Sequence, residues 1–250
     1  MDKQDNREIV NDLLGYEGLK IIQRPDMFNF SLDSTLLADF VRIPAKIRNI
    51  MDFGTGNGPI PLFLTLKTSI PIIGVEIQKE AYELAKRSVD LNGLGKQITI
   101  INADINDLHH QYEMSSIDLI TCNPPFFKYS PRAITNKNDY LTIARHELLI
   151  DLEGILVQAR RLLSNDGTLF MIHRVDRLEE LILALNAHRL AIKRLRFVYP
   201  LQGREAISVL VEASASGKIG SLKLLEPLYV YDESGNYSKE ILTIFRYGKK

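Results

Sequence analysis

From residue 49 onward, short runs of consecutive apolar residues alternate with stretches in which apolar residues return at helical spacing. The short runs predict strands over residues 49–53 (NIMDF), 70–75 (IPIIGV), 97–101 (QITII), 117–122 (IDLITC) and 168–173 (TLFMIH). They are rich in Ile and do not alternate with polar residues, which suits strands buried on both faces. Between them, 79–91 (KEAYELAKRSVDL) reads as a helix that stops at Asn92-Gly93. A second helix spans 148–163, closed by Asn165-Asp166-Gly167, and a third spans 176–185, opened by an Asp176 cap. Strand and helix in alternation predict an α/β fold, a mostly parallel sheet flanked by helices.

After residue 190 the pattern changes. Residues 191–198 and 206–212 read as strands facing each other across a Pro/Gly turn, and 222–231 as an extended edge segment, since Pro227 is awkward in a central strand. Residues 237–247 predict a terminal helix. Ahead of the first core strand lie a hairpin-like stretch, 19–30, and a helix from Leu32. The expected organisation is a main domain over 49–250 with an N-terminal extension over 1–48.

Composition narrows the class. At 45% hydrophobic and 25% charged, the chain has the material for a globular core. No apolar run is long enough to span a membrane and residues 1–12 are polar, so neither a membrane span nor a signal peptide is expected. The single cysteine, Cys122, excludes a disulfide framework and a cysteine metal cage. The expectation is a cytoplasmic protein. Net charge is zero, yet residues 1–125 carry 12 Lys+Arg against 17 Asp+Glu, and residues 126–250 carry 19 against 14. That split is compatible with a cationic ligand in the first half and a polyanion on the second.

The most informative segment is Asp52-Phe53-Gly54-Thr55-Gly56-Asn57-Gly58-Pro59. A strand runs into three glycines at every second position and a helix follows, the arrangement that lets backbone turn sharply against a nucleotide. Pro59 stands where the dinucleotide fingerprint needs a glycine, which argues against hydride transfer. Glu76 ends the second strand, where a carboxylate can grip ribose hydroxyls, and Asp104 follows the third, where one can accept from an adenine amine. Each alone fits a tight turn or a helix cap; in series they place a nucleoside along the sheet's carboxyl edge.

The fourth strand ends in Asn123-Pro124-Pro125-Phe126. With DFGTGNG, GVE and NAD before it, the sequence from Asp52 to about His173 resembles the class I S-adenosylmethionine-dependent methyltransferases that act on planar nitrogen. The resemblance implies their Rossmann-like fold, with a mostly parallel seven-stranded sheet, and S-adenosylmethionine as cofactor. It implies that the cofactor is held by Asp52, Gly54, Thr55, Gly56, Asn57, Gly58, Glu76, Ile77, Asp104, Ile105 and Asn123, with Phe30 and Asp33 of the N-terminal extension closing over it. In that family the asparagine side-chain oxygen and the carbonyl after it accept hydrogen bonds from the target amine. Asn123, Pro124, Pro125 and Phe126 are thus the expected catalytic segment, with Phe126 stacking on the target plane. Two fixed acceptors pull a conjugated amine toward tetrahedral geometry and free its lone pair. The sulfonium is already activated, so no metal is expected.

Planar nitrogens include a base amine in tRNA or rRNA and the side-chain amide of a protein glutamine. Residues 27–33 (MFNFSLD), Leu36-Leu37, residues 144–147 (ARHE), 203–206 (GREA) and 225–228 (LEPL) resemble a narrower group, the tRNA adenine-N6 methyltransferases acting at position 37 of a valine tRNA. A non-catalytic RNA-binding module is the rival from another class. Lys128, Arg132, Lys137 and Arg145 follow the catalytic segment, and Lys193, Arg194, Arg196 and Arg204 lie in the basic C-terminal half; as a group they fit phosphate contacts. His109-His110 reads as a solvated pair without a carboxylate at metal-ligand spacing, and Cys122 as a packed strand-end residue.

Overall fold

The computed structural model describes residues 8–13, 16–25, 27, 32–124 and 152–246. The chain opens with a hairpin, β1 (Ile9–Leu13) and β2 (Tyr16–Gln23), followed by α1 (Leu32–Phe40). The core then runs β3 (Ile50–Phe53), α2 (Pro59–Leu64), β4 (Ile72–Glu76), α3 (Lys79–Leu91), β5 (Ile98–Asn102), a 3-10 turn (Ile105–His110) and β6 (Ile117–Cys122). It continues with α4 (Leu152–Leu162), β7 (Leu163–Arg174), α5 (Leu178–Ala187), β8 (Ala191–Tyr199) and β9 (Ser208–Ser214). Two short strands, β10 (Lys223–Leu224) and β11 (Leu228–Tyr229), and α6 (Lys239–Arg246) close it.

The sheet has the order β5-β4-β3-β6-β7-β9-β8, with β10 and β11 both on the outer side of β8. The pairs from β5 to β7 are parallel, and β9 runs antiparallel to both β7 and β8. The seven-stranded expectation is met, with two short edge strands added. Pro227, which has no N–H to give a ladder, lies between those two strands, as expected of it.

Successive residues of each core strand face opposite layers. Ile50, Ile72, Leu119 and Phe170 pack with α1, α2 and α6 residues such as Leu37, Leu62 and Ile241. Met51, Phe53, Val75 and Ile120 pack with Leu108, Leu156 of α4 and Leu181 of α5. Burial on both faces is why the strands read as unbroken apolar runs.

Most strand and helix ends shift by a residue or two, and three differences have a specific cause. The hairpin runs from Ile9 to Gln23 and so begins ahead of the expected 19–30, of which 26 and 28–30 lie outside the described residues; β1 is exposed except at Leu13, and its IVNDL run lacks the alternation of a half-buried strand. Asp176 does not cap a helix, because Arg174 Nε donates to its carboxylate at 3.1 Å and a 3-10 turn precedes α5. Finally, α4 passes directly into β7, where a register shift between Ile117 and Leu119 takes up Ser164–Gly167.

Candidate active site

Strand order turns at β3, which has β4 on one side and β6 on the other; ligands of open α/β sheets bind at such a reversal. Register brings the motif ends together. Phe53 is level with Val75 and with Cys122, so the glycine loop, Glu76 and Asn123 leave the sheet side by side.

The loop is shaped by its glycines. Gly54, Gly56 and Gly58 have φ of 65°, 57° and 92°, values other residues adopt rarely. A Cβ on Gly54 or Gly56 would meet no atom within 4 Å, so these two present open backbone. Gly58 caps α2, and Pro59 fills the first helical turn, where its missing N–H costs nothing. That explains the proline in place of a fingerprint glycine.

Glu76 is buried. Its Oε2 accepts the Gly56 N–H and its Oε1 the Gln78 N–H, both at 2.8 Å. Burial raises its pKa, against the hydrogen bonds from Gln78, Gly56 and Ile77, which lower it. Each carboxylate oxygen has a second lone-pair direction, so ribose hydroxyls can still be accepted. Ile77 follows in the chain, and Asn102 Nδ2 donates to the carbonyls of both Glu76 and Ile77.

Asp104 caps the 3-10 turn through Oδ1, which accepts the Asn106 N–H at 2.8 Å, while Ile105 is buried behind it. Asp33, on the first turn of α1, is half-buried; desolvation raises its pKa and the Arg174 charge opposes that rise.

Three expected cofactor ligands have other work for their side chains. Asp52 is 0% exposed and lies beneath the loop, its Oδ1 accepting from Thr121 at 2.5 Å and its Oδ2 from Thr55 at 2.7 Å. Burial raises the Asp52 pKa to about 7. Thr55 is buried with it, and Asn57 Nδ2 donates to the Ile22 carbonyl at 2.9 Å, tying the loop to β2. These side chains brace the loop from below. Thr121 was not anticipated, although its place two residues before Asn123 puts it beside Asp52, level in register.

Asn123 Nδ2 donates to Ser34 Oγ at 3.0 Å, and its buried Oδ1 has no hydrogen-bond partner among the described residues. Pro124, next to it, is buried. Ser34 is the second residue that sequence reasoning missed; it sits beside Asp33 on α1. Phe30, Pro125, Phe126, Lys128, Arg132, Lys137 and Arg145 lie outside the described residues.

The expected basic cluster on β8 is not a single patch. Arg194 is 8% exposed; its Nε donates to Glu212 at 2.6 Å, another nitrogen to the Phe40 carbonyl at 2.8 Å, and its guanidinium lies 4.2 Å from the Phe40 ring centre. It is a core residue and not a phosphate ligand. Arg196 pairs with Glu240 and the Glu226 carbonyl, and Lys193 with the carbonyls of Lys218 and Gly220. On a strand, neighbours face opposite sides, so adjacent basic residues find separate partners. Arg204 is exposed in the turn after β8, at the carboxyl edge of the sheet.

Cys122 is buried and its thiol pKa is pushed well up, which keeps it from acting as a nucleophile. His109 and His110 are exposed, as expected of a solvated pair, but the 3-10 turn brings the exposed Asp107 carboxylate to both rings, with ligating atoms within 4.8 Å of one another. His109 Nδ1 lies 2.9 Å from the Asn106 carbonyl.

An open glycine backbone, a buried acid beside it and an unpartnered amide oxygen fit S-adenosylmethionine with its acceptor. A methyltransferase domain family matches residues 45–244. A tRNA1(Val) (adenine(37)-N6)-methyltransferase of Porphyromonas gingivalis is 33% identical over 79% of this chain and 78% of its own. One of Photobacterium profundum is 25% identical over 86% and 89%. Among solved structures, a predicted O-methyltransferase from Agrobacterium tumefaciens shares the fold, with a TM-score of 0.64 and 19% identity over 86% of this chain and 95% of that one. The chain belongs to the methyltransferase domain family and, within it, to the S-adenosylmethionine-dependent family of those tRNA1(Val) (adenine(37)-N6)-methyltransferases.

Proposed function

We propose that this enzyme methylates the N6 amine of an adenine in tRNA, at position 37 beside the anticodon of a valine tRNA. The observation that carries the reading is the Asn123 Oδ1, a buried acceptor without a partner among the described residues, beside an open glycine loop. Buried amide oxygens are ordinarily paired, and this one is matched to a donor that arrives with substrate. The names of the relatives support adenine in tRNA as the source of that donor.

When bound, S-adenosylmethionine supplies an activated methyl on its sulfonium. Glu76 holds the ribose hydroxyls, Asp104 accepts from the cofactor's adenine amine, and the backbone of Gly54 and Gly56 lies against the ligand. Asn123 Oδ1, with the Pro124 carbonyl, accepts the N–H groups of the acceptor amine, which turns its lone pair out of conjugation. Pro125 stiffens this segment and Phe126 stacks on the target base. Lys128, Arg132, Arg145 and Arg204 contact phosphates.

The described part of the N-terminal extension, residues 1–48, packs against the glycine loop and α3. In support, Asn57 reaches Ile22, Ser88 Oγ accepts the Ile22 N–H, and Ile22 and Met27 pack on Ala81 and Leu84 of α3. The proposed site of action is the cytoplasm; among the described residues no helix is long and apolar enough to cross a membrane.

The test is to supply labelled S-adenosylmethionine with a mixed pool of tRNA, rRNA and protein. Label in tRNA that ribonuclease removes and protease does not is the expected result. Label confined to rRNA or protein overturns the substrate, and no transfer to any of them overturns the catalytic reading in favour of a binding module.

A further inference from the structure

The Asn123 amide can sit in its pocket in two orientations related by a half-turn. One presents Oδ1 to the acceptor amine; the other presents the NH2 group, and two donors would then face each other. Only the first serves the transfer. Among the described residues that orientation goes with one contact, Nδ2 to Ser34 Oγ at 3.0 Å, while Oδ1 stays unpartnered.

We propose that Ser34 is a positioning residue for methyl transfer, its hydroxyl oxygen accepting the Asn123 amide N–H and so anchoring the side chain at the end that the incoming amine does not use. The inference rests on the role assigned to Asn123 above and adds the group that orients it.

Ser34 is well mounted for this. It is buried in α1, whose Leu36, Leu37 and Phe40 lie in the core. The far end of that helix is held by Lys67, whose ammonium donates to the carbonyls of Ala38, Asp39 and Val41 at 3.0, 2.7 and 2.6 Å. Asn123 follows directly from β6 at the centre of the sheet. The two partners are 89 residues apart in sequence, yet each is fixed by its own element. A hydroxyl so placed holds a second group without rearranging, which is what orientation of a reacting centre requires. It also makes the α1 segment, which carries Asp33, part of the acceptor site.

The test uses the full chain with unmodified tRNA and S-adenosylmethionine. Ser34→Ala removes the acceptor, and Ser34→Cys keeps the volume with a much weaker one. Both are expected to lower kcat about 10- to 100-fold while the KM for tRNA and the cofactor Kd stay put. Ser34→Thr, which keeps the hydroxyl, is expected to recover most of the rate. Should Ser34→Ala fail to fold, the Cys and Thr pair gives the same comparison. A parent enzyme that methylates tRNA while the Ala and Cys variants keep kcat within about twofold per folded molecule overturns the proposal and leaves Asn123's role standing. A parent that methylates no RNA removes both readings together.

Discussion

Glu76 accepts the Gly56 N–H at 2.8 Å, so the acid ending one strand fixes the turn that leaves its neighbour. The same carboxylate takes the Gln78 N–H through its other oxygen. Glu76→Ala removes both, together with the proposed ribose contacts. Hydrogen bonds to a charged group are worth about 1.5–3 kcal/mol each, so cofactor binding is expected to weaken about 10- to 100-fold. Titration calorimetry reads this directly, and an unchanged Kd removes the ribose assignment.

Asp52 carries a stability consequence. Its carboxyl is fully buried and its pKa is raised to about 7, chiefly by desolvation. In the unfolded chain it ionises near 4. Between those values the folded state holds a proton that the unfolded state has lost, so stability falls as pH rises toward 7 and then levels. Asp52→Asn cannot ionise and should flatten this slope. Urea midpoints at pH 5 and pH 8 compare the two; parallel losses in parent and variant contradict the assignment.

Arg194 contributes to the fold, not to RNA. Removing one partner of a buried pair costs about 3–5 kcal/mol. Arg194→Ala should fall toward the lower end, because Arg42 also donates to both Glu212 oxygens at 2.9 and 3.0 Å. Thermal melts should show the loss while tRNA affinity per folded molecule is unchanged. A stable variant with weakened tRNA binding would restore the phosphate role.

Asn57→Ala cuts the side-chain tie between the glycine loop and β2. Loss of a buried hydrogen bond that leaves the Ile22 carbonyl unpaired costs about 1–3 kcal/mol. Hydrogen exchange should quicken in β2 while the central strands stay protected. Equal protection in parent and variant argues that the hairpin is held by its α3 contacts alone.

Much of this was legible because the central strands are buried on both faces. β6 spans the same residues as the apolar run that predicts it, and so does α3, whose apolar spacing and Asn92-Gly93 both point to one boundary. The exposed β1 left no such trace. Motif positions along the sheet edge were readable, but the direction of each side chain was not. Asp52, Thr55 and Asn57 sit within the glycine motif, yet they face the supporting side of the loop. Arg194 shows the same limit, for its pairing with Glu212 depends on strands joined by a turn. Ser34 was missed because a serine carries no signal of its own until α1 is placed against β6.

Everything proposed for the transfer turns on Asn123 Oδ1 receiving the adenine amine. The most direct measurement is N6-methyladenosine by mass spectrometry in a valine tRNA transcript after reaction, for parent and Asn123→Ala, with cofactor affinity measured alongside. The expected result is the modified base with the parent, none with the variant, and cofactor Kd values that agree. Full methylation by the variant would contradict it.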